Sequence, residues 1–294
     1  MIRTWKITQS SPEEIQLNDR SSLDAITRQL PEGYYSTFRT YDGCRRVLGL
    51  ASHLRRLYGP VPQPGVDAST LRRNLLPLLD PYRSLFGPAG EARVRVMMTK
   101  EGEVFIAIEP LKLLPGEVYE RGVRVETVEM QRNTPRLKST AFIGQSDDER
   151  RHIARAGIFE ALLVKNGRVL EGMTSNFFYV LPVASTSLRS TREVPMHFRE
   201  RGIVCTAQRD ILLGITRRNV IRVARASGIE VRYRPLNLDH LPAVKEAFIT
   251  SSSRGIVPVI RIDETTVGDG KPGPVTKQLS AAYEAYVLRK AERI

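Results

Sequence analysis

The stretch ALLVKNGRVLEGMTSNFFYV, residues 161–180, decides the fold. Two apolar runs flank Asn166-Gly167, a dipeptide that tolerates the positive φ angles of a two-residue hairpin turn. NFFYVL (176–181) reads as another strand, its aromatic and β-branched residues suiting a pleated surface. Working back toward the amino end, SDDERRHIARAG (146–157) reads as a helix, with Ser146 and Glu149 spaced as a capping box. GVRVETVEM (122–130) before it is a strand. Toward the carboxyl end, IVCTA (203–207) is strand-like, and ILLGITRRNVIRVARASG (211–228) enters a helix capped by Thr216 and closed by Gly228. AFITSSSRGIVPVIRID (247–263) is strand, small-residue loop, strand. VTKQLSAAYEAYVLRKA (275–291) is a helix whose Val275, Leu279, Ala282, Tyr283 and Tyr286 form a packing stripe.

The first third mixes strands and helices. EGYYSTFRTYDG (32–43) is a strand running into a turn, and LGLASHLRRLYG (48–59) is a short helix with Leu50, Leu54 and Leu57 on one face. ASTLRRNLLPLLDPYRSLFG (68–87) is helical, with a break or kink expected at Pro77 and Pro81. EARVRVMMT (91–99) and EVFIAIEP (103–110) form a hairpin around Lys100-Glu101-Gly102. LKLLPGEVYERG (111–122) has the punctuation of a connector and sets an expected boundary between domains 1–118 and 119–294. The Arg-rich, weakly patterned stretch at 183–202 reads as an exposed loop.

Composition narrows the function. The 294 residues are 41% hydrophobic and 26% charged, ordinary values for a globular protein. No apolar run approaches the roughly 18 residues that cross a bilayer, and the first residues do not read as a secretory signal. Cys44 and Cys205 stand alone without metal-ligand spacing, so no metal is expected and a reduced, cytoplasmic setting with buried thiols is the simpler reading. The net charge of +13 suits either a nucleic-acid surface or an enzyme of anionic cofactor and substrate. Its arginines are dispersed as pairs, such as Arg55-Arg56 and Arg217-Arg218, with no basic tail or aromatic-interleaved RNA motif. Such pairs ordinarily mark solvated helix faces.

Three local signals concern anions. GITRRN (214–219) opens a helix, whose free amides and positive dipole end suit a phosphate. TSSSRG (250–255) is a loop of hydroxyls and amides that could cradle one, or a plain tight turn. HLRRL (53–57) adds an arginine able to fork onto phosphate oxygens.

Taken together, EGMTSNFFYV (171–180), LLGITRRNVI (212–221), GYYSTFRTYDG, ASHLRRL, PRLKST (135–140) and FITSSSRGIVPV resemble the class IV aminotransferases in order and spacing. That family includes branched-chain and D-amino acid aminotransferases and aminodeoxychorismate lyase. The resemblance implies an α+β fold of two domains, the smaller amino-terminal one α/β and the larger carboxyl-terminal one with a β-barrel-like core. It implies pyridoxal 5'-phosphate held as a Schiff base by Lys138, whose amine must lose a proton to attack an aldehyde. Glu171 matches the carboxylate that pairs with the pyridine nitrogen and keeps it protonated. Arg56, Ile215, Thr216 and Ser252 match phosphate contacts, and Tyr35 matches an aromatic residue lining the site. Asn176, within the motif, has either a site role or backbone support.

The substrate is open to several readings. Arg93-Val94-Arg95 lies where branched-chain enzymes carry a Tyr-x-Arg pair, and residues 93 and 95 share one strand face, so two arginines could receive a carboxylate or face solvent. The short Lys100–Gly102 turn lacks the loop of D-amino acid enzymes, and Ile143 stands where branched-chain enzymes have a tyrosine. An aminotransferase acting on a branched-chain-like L-amino acid and a 2-oxo acid is the favoured reading. A lyase acting on aminodeoxychorismate is the alternative, and a non-catalytic or nucleic-acid-binding descendant is a remote one. The resemblance also implies a homodimer.

Overall fold

The computed structural model describes residues 2–85, 90–182 and 202–294. The expected loop at 183–202 thus lies outside the described residues, apart from Gly202. The chain forms two compact units. One comprises Met1–Leu113, Leu137–Asp147 and Val287–Ile294, and the other Leu114–Arg136 and Asp148–Tyr286.

The first unit is built on a seven-stranded sheet. Its spatial order is Glu292–Arg293, Arg46–Val47, Gly33–Tyr41, Ala92–Thr99, Val104–Pro110, Arg3–Ile7, Pro12–Ile15, all neighbours antiparallel. Side chains alternate across it, as strand geometry requires. Phe38, Val94, Val96 and Ile106 point to one face, where Leu50, Leu54 and Leu57 of the helix Leu50–Tyr58 and Leu71, Leu75 and Leu79 of Ala68–Leu85 pack on them. Tyr35, Met97 and Phe105 point to the other, against Leu23, Ile26 and Ile143.

The helix Ala68–Leu85 is not broken at Pro77 and Pro81, which leaves a kink as the remaining form of the expectation. The two prolines are four residues apart and both exposed, so the carbonyls they leave without an N–H lie on one solvent-facing stripe.

The second unit holds a curled, half-barrel sheet of ten strands. Its path is Glu230–Tyr233, Ile203–Thr206, Asn176–Leu181, Glu246–Ser251, Gly255–Ile262, Val123–Glu129, Glu160–Lys165, Arg168–Gly172, Leu236–Asn237, with Thr265–Thr266 beside Gly255–Ile262. Val123–Glu129 runs parallel to both of its neighbours. The hairpin turn is as expected, with φ of 51° at Asn166 and 67° at Gly167. Val125, Leu162, Val169, Phe177, Ile249 and Val257 are among the residues that fill the core.

Several local expectations change. The connector contains a short helix, Gly116–Arg121, between Pro115 and a Gly122 at φ 78°. Thr216 does not cap its helix: Ile215–Ala226 starts from Gly214, and Thr216 is its second residue. The Ser146 hydroxyl donates back to the carbonyls of Phe142 and Ile143, at 2.7 and 3.3 Å. Arg217 departs from the solvated-pair pattern, since it is buried and donates to the Ala207 carbonyl at 2.7 Å. Burial lowers its pKa from the usual guanidinium value. Both cysteines are buried and free, and burial pushes their thiols up. Among the described residues no helix is long and apolar enough to cross a membrane.

Candidate active site

In the first unit, residues 138–140 lie along the start of the strand Gly33–Tyr41. The Tyr35 amide donates to the Lys138 carbonyl at 2.9 Å, Tyr34 and Ser139 form an antiparallel bridge, and the Thr140 amide donates to the Gly33 carbonyl at 2.9 Å. Gly33 is required here, because a Cβ would fall 2.0 Å from the Met98 carbonyl oxygen. This stapling places Lys138 Nζ 4.6 Å from the centroid of the Tyr35 ring. The negative face of that ring attracts a cation.

Arg95 meets the same ring, its Cζ 4.5 Å from the centroid. Its guanidinium is buried and held from several sides: Asp24 Oδ1 at 2.7 Å, the Leu23 carbonyl at 2.9 Å, and the hydroxyls of Thr27 and Thr37 at 2.8 and 3.1 Å. A buried charge demands such partners. Arg93, on the same face, pairs with Glu109 at 2.9 Å. Burial raises the Glu109 carboxyl above the usual range, and Arg93 and Arg95 oppose that rise.

Arg56, in the last turn of Leu50–Tyr58, donates to the Ser36 hydroxyl at 2.7 Å, and that hydroxyl lies 2.8 Å from His53 Nδ1. Arg55 is exposed. Tyr35, Arg95 and Lys138 are therefore one cluster, while Arg56 is anchored one residue along the same strand, on its opposite face.

In the second unit, Glu171 ends the hairpin strand Arg168–Gly172 and is 1% exposed. Arg132 Nε donates to its carboxylate at 2.9 Å, the Leu212 amide lies 3.1 Å from both oxygens, and Asn176 Nδ2 donates at 3.2 Å. Arg132 also reaches the Met173 carbonyl at 2.7 Å, and Asn176 the Leu212 carbonyl at 2.8 Å. The expected carboxylate is thus paired with a buried arginine and hydrogen-bonded on several sides. Its partner Arg132 is a residue that motif reading passed over: it stands in an unpatterned stretch, QRNTPRLK.

The same asparagine leads to the amino end of Ile215–Ala226. A Cβ on Gly214 would fall 2.1 Å from Asn176 Oδ1, so only glycine lets the helix start so close. No side chain caps that start. Its first amides are left open at the positive end of the dipole. Thr216 Oγ1 lies 3.3 Å from Ser252 Oγ, which joins the two expected phosphate loops. Two nearby sequence neighbours of these motifs, Ser175 and Thr250, have buried hydroxyls without a hydrogen-bond partner among the described residues. Buried polar atoms are rarely left so, and a polar ligand is one way to satisfy them. No cluster of metal-ligating side chains occurs among the described residues.

Comparison with known proteins identifies the family. The family model for amino-transferase class IV matches residues 33–262. The chain is 30% identical over 304 residues to a probable branched-chain-amino-acid aminotransferase of Thermotoga maritima, covering 99% of this chain and 98% of that one. It is 26% identical over 282 residues to a D-alanine aminotransferase of Bacillus licheniformis, covering 90% and 91%. A hypothetical aminotransferase from Mycobacterium tuberculosis, solved in a PLP-bound form, shares the fold with a TM-score of 0.73 at 19% identity, covering 98% and 99%. The chain belongs to the class IV aminotransferase family.

Proposed function

We propose that this chain uses pyridoxal 5'-phosphate to move an amino group between an amino acid and a 2-oxo acid, with a branched-chain-like L-amino acid as donor. The residues present fit that cofactor. The open helix amides and paired hydroxyls would suit its phosphate, and the buried Glu171 carboxylate would suit its pyridine nitrogen. The observation that carries the reading is the pairing of the Thr216 and Ser252 hydroxyls, 3.3 Å apart, at an uncapped helix start.

When bound, the cofactor supplies an aldehyde carbon and a ring that takes up electrons from the substrate's α-carbon. Lys138 would hold that group through its Nζ and, once freed by the substrate amine, would act as base and then acid toward the proton of the substrate's α-carbon. Glu171, hydrogen-bonded to Arg132, Asn176 and the Leu212 amide, would favour a proton on the pyridine nitrogen. The Ile215 amide and the Thr216 and Ser252 hydroxyls would hold the phosphate, and the Arg56 guanidinium would add positive charge toward it.

Tyr35, Arg93 and Arg95 are proposed on the substrate side. The hydrogen bonds of Arg95 favour a role in fixing the Tyr35 ring, whereas Arg93 shares its charge with one carboxylate. The domains proposed are a smaller 1–118 domain and a cofactor-binding 119–294 domain; Glu171, Ile215, Thr216 and Ser252 of the latter lie in the second compact unit, whereas Lys138 packs within the first. A homodimer in the cytoplasm completes the proposal, its stoichiometry read by light scattering.

Lys138→Ala is the test. The variant is expected to lose both the visible absorbance of bound cofactor and acceptor-dependent amino transfer. Full turnover in that variant overturns the reading.

A further inference from the structure

Ser252 faces Thr216 from a loop whose brace has not been assigned a role. The loop joins the antiparallel strands Glu246–Ser251 and Gly255–Ile262, and Gly255 takes φ 69° to turn the chain. Such a loop has few constraints of its own. Arg254, two residues beyond Ser252, supplies them. Its Nη2 donates to Glu160 Oε2 at 2.7 Å and to Thr174 Oγ1 at 2.7 Å, and its Nε donates to Ser251 Oγ at 3.1 Å. Its carbonyl accepts from the Tyr119 hydroxyl at 2.9 Å, and its Cζ lies 5.2 Å from the Phe159 ring centroid.

Glu160 is the fixed point of this network. It is 2% exposed, on the strand Glu160–Lys165, and it accepts the Thr174 amide at 2.7 Å and the Thr174 hydroxyl at 2.9 Å. One buried carboxylate therefore ties the turn that follows Glu171 to the loop that carries Ser252. The turn has no slack, since a Cβ on Gly172 would fall 2.1 Å from Ser175 Oγ and 3.3 Å from Glu160 Cγ.

We propose that Arg254, anchored on Glu160, is a positioning residue that holds the Ser252 loop against Thr216 and so makes the chain select a phosphorylated over an unphosphorylated pyridoxal. This rests on the reading of Thr216 and Ser252 as phosphate contacts. Arg254 directs Nη2 and Nε to Glu160, Thr174 and Ser251, and it is through these contacts on the loop that it acts. A lysine in its place keeps the charge but cannot serve three acceptors from a planar fork.

The experiment compares binding of pyridoxal phosphate and pyridoxal to the full chain freed of cofactor, followed by visible absorbance. The wild type is expected to favour the phosphorylated form strongly. Arg254→Gln should cut that preference about tenfold or more, the worth of one or two charge-assisted hydrogen bonds, while pyridoxal binding stays at its wild-type level. Arg254→Lys should fall between, and Glu160→Gln should match Arg254→Gln from the other end of the brace. An unchanged preference in all three variants overturns the inference, and so does equal weakening of both ligands, which marks a merely structural role. A wild type that binds both forms alike overturns the phosphate reading, and this inference with it.

Discussion

Lys138 Nζ sits 4.6 Å from the centre of the Tyr35 ring, while the Tyr35 amide donates to the Lys138 carbonyl at 2.9 Å. Backbone and side chain of one residue are thus both referred to the other, so the amine is aimed by a strand and not by a free loop. Removing the ring while keeping bulk, in Tyr35→Leu, removes a contact that favours the protonated amine and should speed cofactor capture by Lys138 up to about tenfold, the scale of one cation–π contact. Tyr35→Phe should leave the rate near its wild-type level, because the ring face remains. Stopped-flow absorbance after adding pyridoxal phosphate separates the two.

Asp24 is the charged partner of the buried Arg95, at 2.7 Å. Asp24→Ala leaves that guanidinium its neutral acceptors only, and the loss should be about 2 kcal/mol, less than for a fully buried pair because Asp24 is partly exposed. Urea unfolding followed by circular dichroism gives the number. A change below a few tenths of a kcal/mol would mean the pair contributes nothing to stability.

Arg132 and Glu171 form a pair in which both partners are buried. Arg132→Met should destabilise the chain by about 3 kcal/mol, because Glu171 then lacks its compensating charge. Glu171→Gln should cost less, and the double variant should cost less than the sum of the two. A double-mutant cycle on urea midpoints measures that coupling, and strict additivity would show the pair to be independent.

Asp67 precedes the helix Ala68–Leu85 and accepts from the Ser69 hydroxyl and the Thr70 amide, both at 2.7 Å. These bonds pull its carboxyl from 3.8 down to about 2. A depressed carboxyl stabilises the folded state above its unfolded value and loses that contribution as pH falls through 3.8 toward about 2. Asp67→Asn keeps an N-cap acceptor that does not titrate. Melting temperatures taken from pH 6 to pH 3 should therefore fall less steeply in the variant; identical slopes would remove Asp67 from the acid response.

The pattern of legible and illegible features has a physical basis. The Asn166-Gly167 turn, the leucine face of Leu50–Tyr58 and the stripe of the last helix are local, so neighbouring residues suffice to read them. Lys138 and Glu171 were singled out by family resemblance, since a lone lysine or hairpin glutamate carries no signal. What escaped reading is what partners decide. Arg132 meets a carboxylate 39 residues on, and Arg95 meets one 71 residues back, distances over which no periodicity survives. The same holds for Glu160, 94 residues from Arg254. The residue type of Thr216 prefers a cap position, but the helix starts from Gly214, which packs too closely on Asn176 to carry a side chain.

The most direct measurement reduces the holoenzyme with borohydride, which fixes the cofactor to the amine that holds it, and maps the site by tryptic mass spectrometry. The account predicts a single modified peptide, carrying the added mass on Lys138. Modification of a different lysine, or none in protein loaded with cofactor, contradicts it.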